Sequence, residues 1–228
     1  MNINGKIKVS GVRRQAFTLV ELLVVISIIG ILAAFTFSAL KSVKRQQYLK
    51  AAQAELNQIE TALENYKAKY GAYPPGSAIA GSNSNKLNQL YYELAGVTLG
   101  GGNYQTLDGF TTISQTTFSS TFNVGGIVNC GSRTGGEDVA AAKNFMTSLK
   151  SSQIGSYTGG IKVLITSVRG PDTAYKPLGI QDVNPFRYRY PGINSPNSYD
   201  LWVQLVISGQ TNLICNWSKQ IQINNSLP

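Results

Sequence analysis

Histidine is absent from this chain. That removes the Ser-His-Asp and Cys-His arrangements of nucleophilic catalysis, together with every imidazole metal ligand. Acids are scarce as well, with eleven Asp and Glu against twenty Lys and Arg in 228 residues. The one adjacent acidic pair in the globular part, Glu137-Asp138, stands at a predicted helix start, where negative charge complements the helix dipole. The bases are no more suggestive of a site. Beyond Lys50 most of them are scattered singly, whereas a nucleic-acid footprint calls for Lys and Arg gathered on one face or element.

What the chain does have is one long apolar run. From Leu22 to Leu40 there are nineteen residues without a charge, close to the roughly 20 that a helix needs to cross the hydrocarbon core of a bilayer. Glu21 sits at the edge of this run, where a lone carboxylate is costly and calls for a partner or a task. A secretory signal peptide would have an apolar stretch of only about 7 to 15 residues, followed by a small-residue cleavage site. Four bases precede the run (Lys6, Lys8, Arg13, Arg14) and four follow it (Lys41, Lys44, Arg45, Lys50). Loop charge alone therefore does not orient the helix.

Beyond Leu40 the helical pattern continues. Tyr48, Ala52, Leu56, Ile59, Leu63, Tyr66 and Tyr70 recur at spacings of three and four, the apolar stripe of an amphipathic helix. Lys50, Gln53, Asn57, Glu60, Glu64 and Lys67 fill the other faces. Gly71 stops the helix, and Pro74-Pro75 prevents its resumption. A helix from Phe17 to Tyr70 would be roughly 80 Å long at 1.5 Å per residue. Its second half has to bury its stripe against the rest of the chain.

The order Arg13-Arg14-Gln15-Ala16 followed by Phe17-Thr18-Leu19-Val20-Glu21-Leu22-Leu23 closely resembles the prepilin signal of type IV pilins and type II secretion pseudopilins. The resemblance implies cleavage by a membrane peptidase between Ala16 and Phe17, followed by N-methylation of Phe17. Ala16 departs from the family, which more often has glycine before the cut. Glu21 then becomes the fifth residue of the mature chain, as the family pattern requires. Cleavage would create a positive α-amino group at the membrane edge, a counter-ion available only after processing. Its donor is either a neighbouring subunit or the chain's own Phe17, which is one helical turn away. The leader holds four of the bases, so the mature charge is nine minus four, or +5. The resemblance also places the amino terminus in the cytoplasm and the carboxyl-terminal domain in the periplasm.

Two further segments carry the same likeness. The helix end and Gly71-Ala72-Tyr73-Pro74 turn resemble those of major pseudopilins. So do Asn184-Pro185-Phe186-Arg187-Tyr188-Arg189-Tyr190-Pro191-Gly192, the strand start Tyr199-Asp200-Leu201-Trp202, and Asn216-Trp217. The family holds a calcium ion with acids in the loop before the terminal Asn-Trp. Here that loop reads Ser208-Gly209-Gln210-Thr211-Asn212, and hard Ca²⁺ wants six to eight oxygens, usually including carboxylates. No metal or other cofactor is expected.

The expected fold is α+β and pilin-like: one long amino-terminal helix packed on a small antiparallel sheet. Its parts are a leader (1–16), a transmembrane and assembly helix (17–40), the amphipathic half of that helix (41–72), an insert (73–183) and a carboxyl-terminal β segment (184–228). Within the insert, Leu87–Leu94 predicts a short helix and Gly100-Gly101-Gly102 a turn rather than a phosphate loop. Thr111–Val124 suits one or two strands or an extended surface loop. Glu137–Lys150 predicts a helix opened by a capping box from Thr134 to Glu137. Ile161–Arg169 predicts a strand, and the alternation of Phe186–Tyr190 a strand with one face covered. Leu201–Ile207 and Thr211–Trp217 bracket a hairpin turn. Cys130 and Cys215 form either one disulfide, whose loop of about 85 residues would stabilise by about 4 kcal/mol, or two buried free thiols.

The function expected from the resemblance is that of a structural subunit of a pilus-like filament or secretion pseudopilus. Its implied partners are further copies of itself, related minor pilins or pseudopilins, the prepilin peptidase, an inner-membrane assembly platform and the membrane. Identical helices repeated by an operation that does not close give an open fibre. The alternative is a membrane-anchored periplasmic enzyme or binding protein that uses the helix as a tether.

Overall fold

A computed structural model describes residues 18–79, 81, 84–132, 141–168, 172 and 174–224, without the side chains of 36–41. The first helix, α1, covers Leu19–Tyr70. The chain divides into two compact units, residues 1–44 and 45–228, so α1 contributes to both.

In the second unit, α1 runs from Arg45 to its end and organises everything else. Ala52, Leu56, Ile59, Leu63 and Tyr66 are buried in the main core together with Leu49 and Ala62. Tyr48 and Tyr70 pack against its margin. Each fully buried large apolar side chain contributes about 1.5–3 kcal/mol, so this face outweighs any intrinsic helix preference. The helix stops where Gly71 enters the left-handed region at φ 77°, and the amide of Gly71 still caps the carbonyl of Lys67 at 2.8 Å.

Sharing one core with that face are α2 (Leu90–Ala95), α3 (Gln115–Phe122) and, among the described residues, three sheets. The first sheet has the order β3-β2-β1-β4, with β1 at Val97–Gly100, β2 at Asn103–Thr106, β3 at Thr112–Ser114 and β4 at Cys130–Ser132. Its β1–β4 pair is parallel and its other pairs are antiparallel. A two-stranded sheet pairs β5 (Ile154–Ser156) with β6 (Lys162–Leu164). The carboxyl-terminal sheet has the order β10-β9-β8-β7, with β7 at Arg187–Arg189, β8 at Asp200–Ile207, β9 at Gln210–Cys215 and β10 at Ser218–Ile223. All its pairings are antiparallel. This is the expected α+β, pilin-like arrangement.

Several local expectations need correction. Residues 115–122 form a helix, not a strand or surface loop. Ser114 caps it by accepting the amide of Thr117 at 3.1 Å, and Phe118 and Phe122, one turn apart, are both buried. Residues 141–150 form no helix, while 133–140, with the proposed capping box, lie outside the described residues. Backbone donors of this segment are spent elsewhere: Phe145 on the carbonyl of Leu94 at 2.8 Å, Lys143 on Asn129 Oδ1 at 2.9 Å. Its apolar residues still reach the core, with Phe145 5.5 Å from the ring of Tyr66. The strand expected over Ile161–Arg169 is confined to β6 plus a single bridge from Ile165 to Pro185. Phe186, just before β7, and Arg187 and Tyr188 on it are all buried, while Arg189 is exposed, so the second face is covered only at Arg187. The Arg187 guanidinium donates to Tyr175 Oη at 2.6 Å and to Gln204 Oε1 at 3.4 Å.

The disulfide is not formed. Both cysteines are free, because the fold puts them in different sheets. Cys130 pairs with Val97 on β4. Cys215 ends β9 in a small cluster with Trp202 and Leu213.

Polar groups fix the register of α1 against the insert. The Glu55 carboxylate accepts the hydroxyl of Thr166 at 2.7 Å and both the amide and the hydroxyl of Ser167. Tyr70 donates to Asn129 Oδ1 at 2.7 Å. Glu93 on α2 is fully buried; it accepts Tyr66 Oη at 2.9 Å and the amides of Val128 and Asn129 at 2.9 and 3.0 Å.

Burial pushes the Glu93 carboxyl above its ordinary 4.5, against the lowering effect of those donors. The folded chain therefore holds this proton more tightly than the unfolded chain does. The contribution of Glu93 to stability is complete below about pH 4.5 and falls as pH rises through the folded value. Thermal unfolding from pH 4 upward should show wild type losing stability relative to Glu93→Gln, which has no titrating group at this position. Parallel curves would show that Glu93 does not titrate differently in the two states.

Candidate functional site

The first unit presents the other part of α1. Of its described side chains, nearly every apolar one from Leu19 to Phe35 is exposed, with Leu19, Val20, Leu22, Ile26, Leu32 and Phe35 among the most open. At about 1.5–3 kcal/mol for each large residue left in water, this surface requires an apolar surrounding. Ser27 removes its own polarity by donating to the carbonyl of Leu23 at 2.8 Å. A Cβ added at Gly30 would meet nothing within 4 Å. The glycine is thus not demanded by packing in this unit, although it costs about 1 kcal/mol of helix propensity relative to alanine. Among the described residues no helix is long and apolar enough to cross a membrane. The expected run continues into 36–40, whose side chains lie outside them.

At the start of this helix Glu21 does not stand alone. The backbone amide and the hydroxyl of Thr18 both donate to Glu21 Oε2 at 2.8 Å. The amide of Glu21 donates back to Thr18 Oγ1 at 3.2 Å. This is a reciprocal capping box, in which a Thr and a Glu three residues later satisfy each other's backbone donors. The carboxylate also lies over the positive end of the helix dipole. Thr18 was not among the residues singled out from the sequence, yet its spacing from Glu21 is the capping signature. Ala16 and Phe17 lie outside the described residues.

Calcium, which the family resemblance implies, does not fit the place assigned to it. Ser208 and Gly209 form a two-residue turn between β8 and β9, with positive φ at both, and supply no carboxylate. Among the described residues no group of three or more His, Cys, Asp or Glu is placed to hold a metal ion. Glu137 and Asp138 lie outside the described residues.

Residues 12–37 match the family model for the prokaryotic N-terminal methylation motif. A type II secretion system core protein G from Pectobacterium carotovorum subsp. carotovorum is 37% identical over 65 residues, which is 28% of this chain and 42% of that protein. The chain thus spans less than half the length of that curated relative. No solved structure matches.

Replacing Thr18 with Ala removes the hydroxyl from both sides of the capping box. Loss of an N-cap side chain costs about 1 kcal/mol, or roughly a five-fold change in local opening. Amide hydrogen exchange in detergent micelles should speed up by about that factor at Glu21 and Leu22 and stay unchanged in β8 and β9. Unaltered exchange at Glu21 would mean that the box does not hold the helix start.

Proposed function

We propose that this pilin-like chain, with its amino-terminal methylation motif, is a non-catalytic structural subunit of a type IV pilus-like filament or type II secretion pseudopilus. Residues 1–16 act as the leader and are removed before Phe17, which is then N-methylated. The helix from Phe17 holds the subunit in the inner membrane, with the domain beyond it in the periplasm. Assembly exchanges lipid around the apolar helix for other copies of that helix. The subunit ends in a periplasmic or extracellular fibre with related minor pilins or pseudopilins.

The observation that carries this reading is the contrast along α1. Residues 19–35 expose apolar side chains on all sides, whereas residues 49–66 bury a single stripe. A tether needs only to be greasy. A subunit of a helical bundle also needs a fixed polar point that sets depth and register. Glu21 supplies one, because a carboxylate in an apolar surrounding strongly favours a position beside a cation. Gly30 and Ala34, one turn apart, allow close approach of a second helix, as small residues at that spacing do in membranes.

Two outcomes follow. Mass spectrometry of protein extracted from membranes that contain the prepilin peptidase should give a mature amino terminus at Phe17 carrying one added methyl group. An intact Met1 in such cells would remove the processing step. Glu21→Ala and Glu21→Leu lose the capping box but should be inserted, with the second unit folded as in wild type, and reduce fibre yield at least ten-fold, counted by electron microscopy of cells that express the assembly platform. Fibres from either variant at wild-type numbers would refute the role given to Glu21.

A further inference from the structure

The loop joining β7 to β8 holds a buried anion among donors. Asp200, at the start of β8, is 1% exposed. Its Oδ2 accepts the amides of Ile193 and Asn194 at 2.8 and 2.9 Å, and Asn194 Nδ2 at 3.1 Å. Its Oδ1 accepts the amide of Ser195 at 3.0 Å. Three successive backbone amides thus converge on one carboxylate, the geometry of an anion-binding nest. The loop is closed on itself by bonds from the Gly192 amide to the Ser198 carbonyl and from the Ser198 amide to the Ser195 carbonyl, both 2.9 Å. A Cβ at residue 192 would lie 2.6 Å from Asp200 Oδ1 and 2.8 Å from the Ser195 carbonyl. Glycine is what admits the carboxylate.

The neighbouring strands complete the clamp. Asn216, just past β9, accepts the amide of Leu201 at 2.9 Å and donates to the carbonyl of Tyr199 at 2.8 Å, so both residues beside Asp200 are held. Trp217 then packs its ring 5.7 Å from that of Trp202. At the far end of β8, the Gly209 amide donates to Asp172 Oδ2 at 3.3 Å.

A calcium ion would need oxygen lone pairs aimed at it. Around Asp200 the converging groups are N–H donors, whose positive ends repel a cation and attract an anion. The other end of β8 is too short a turn to form a cage. We infer that the carboxyl-terminal sheet is closed without a metal, with Asp200 as the internal anion of a nest built by Ile193, Asn194 and Ser195. Asp200 thereby anchors the β7–β8 loop, at the opposite end of β8 from the turn where the family resemblance puts calcium. The inference concerns the fold of a single chain and holds whether or not the chain builds fibres.

The test is thermal unfolding of the full chain in detergent, followed by the fluorescence of Trp202 and Trp217. Wild type should melt at the same temperature in excess calcium chloride and in EGTA. Asp200→Ala removes the shared acceptor of three backbone amides and should melt roughly 5–10 °C lower. Sodium formate, a free carboxylate that can enter the vacated nest, should restore part of that loss, while sodium chloride at equal ionic strength and calcium chloride should not. Asp200→Asn keeps an oxygen acceptor but loses the charge, and should fall between the two. If Asp200→Ala does not fold, Asp200→Asn and the calcium arm on wild type still decide the matter. Stabilisation of wild type by calcium, or melting of both variants with wild type, would overturn the inference.

Discussion

Burial of one helix face is the constraint on which the second unit depends. Two helices, three small sheets and a set of irregular segments share one core, and α1 contributes its continuous line from Leu49 to Tyr66. None of the sheets is large enough to stand alone, since strands of three to eight residues need a covered apolar face. The polar ties from Glu55, Tyr66 and Tyr70 then select one docking among the many that greasy contact alone would allow. Their worth lies in what happens when they are broken, because a buried donor or acceptor left unpaired costs more than the bond contributes when made.

The same helix behaves differently in the first unit, where no stripe exists and apolar residues point in all directions. The Thr18–Glu21 box gives the carboxylate an internal partner at the helix start. In the proposed assembly that partner would compete with a neighbour's amine, and the exchange would couple release from the box to contact with another subunit.

Where backbone hydrogen bonds are local, they were legible in advance. The stripe from Tyr48 to Tyr70, the stop at Gly71, the short helix near Leu90 and the hairpin around Ser208-Gly209 all follow from periodicity or turn chemistry. The failures share a cause. In residues 141–150 the helical pattern of apolar side chains was genuine, yet Lys143 and Phe145 give their amides to Asn129 and Leu94, residues far away in sequence. In residues 115–122 a run of Thr and Phe suggested strands, and a Ser114 cap with two buried Phe residues one turn apart made a helix instead. The alternation at Phe186–Tyr190 suggests one exposed face, which is open at Arg189 but covered at Arg187 by Tyr175 and Gln204.

By itself the sequence determined the helix, its two burial regimes and the prepilin-type signal, since each is written in neighbouring residues that interact over one or two turns. The capping signature at the helix start is local in the same way, since Thr18 lies three positions before Glu21. Only the tertiary structure decided that Cys130 and Cys215 stay apart, that Glu93 is buried under Tyr66, and that Asp200 is filled by amides. Those outcomes depend on which distant segments the core brings together, and no local spacing encodes that.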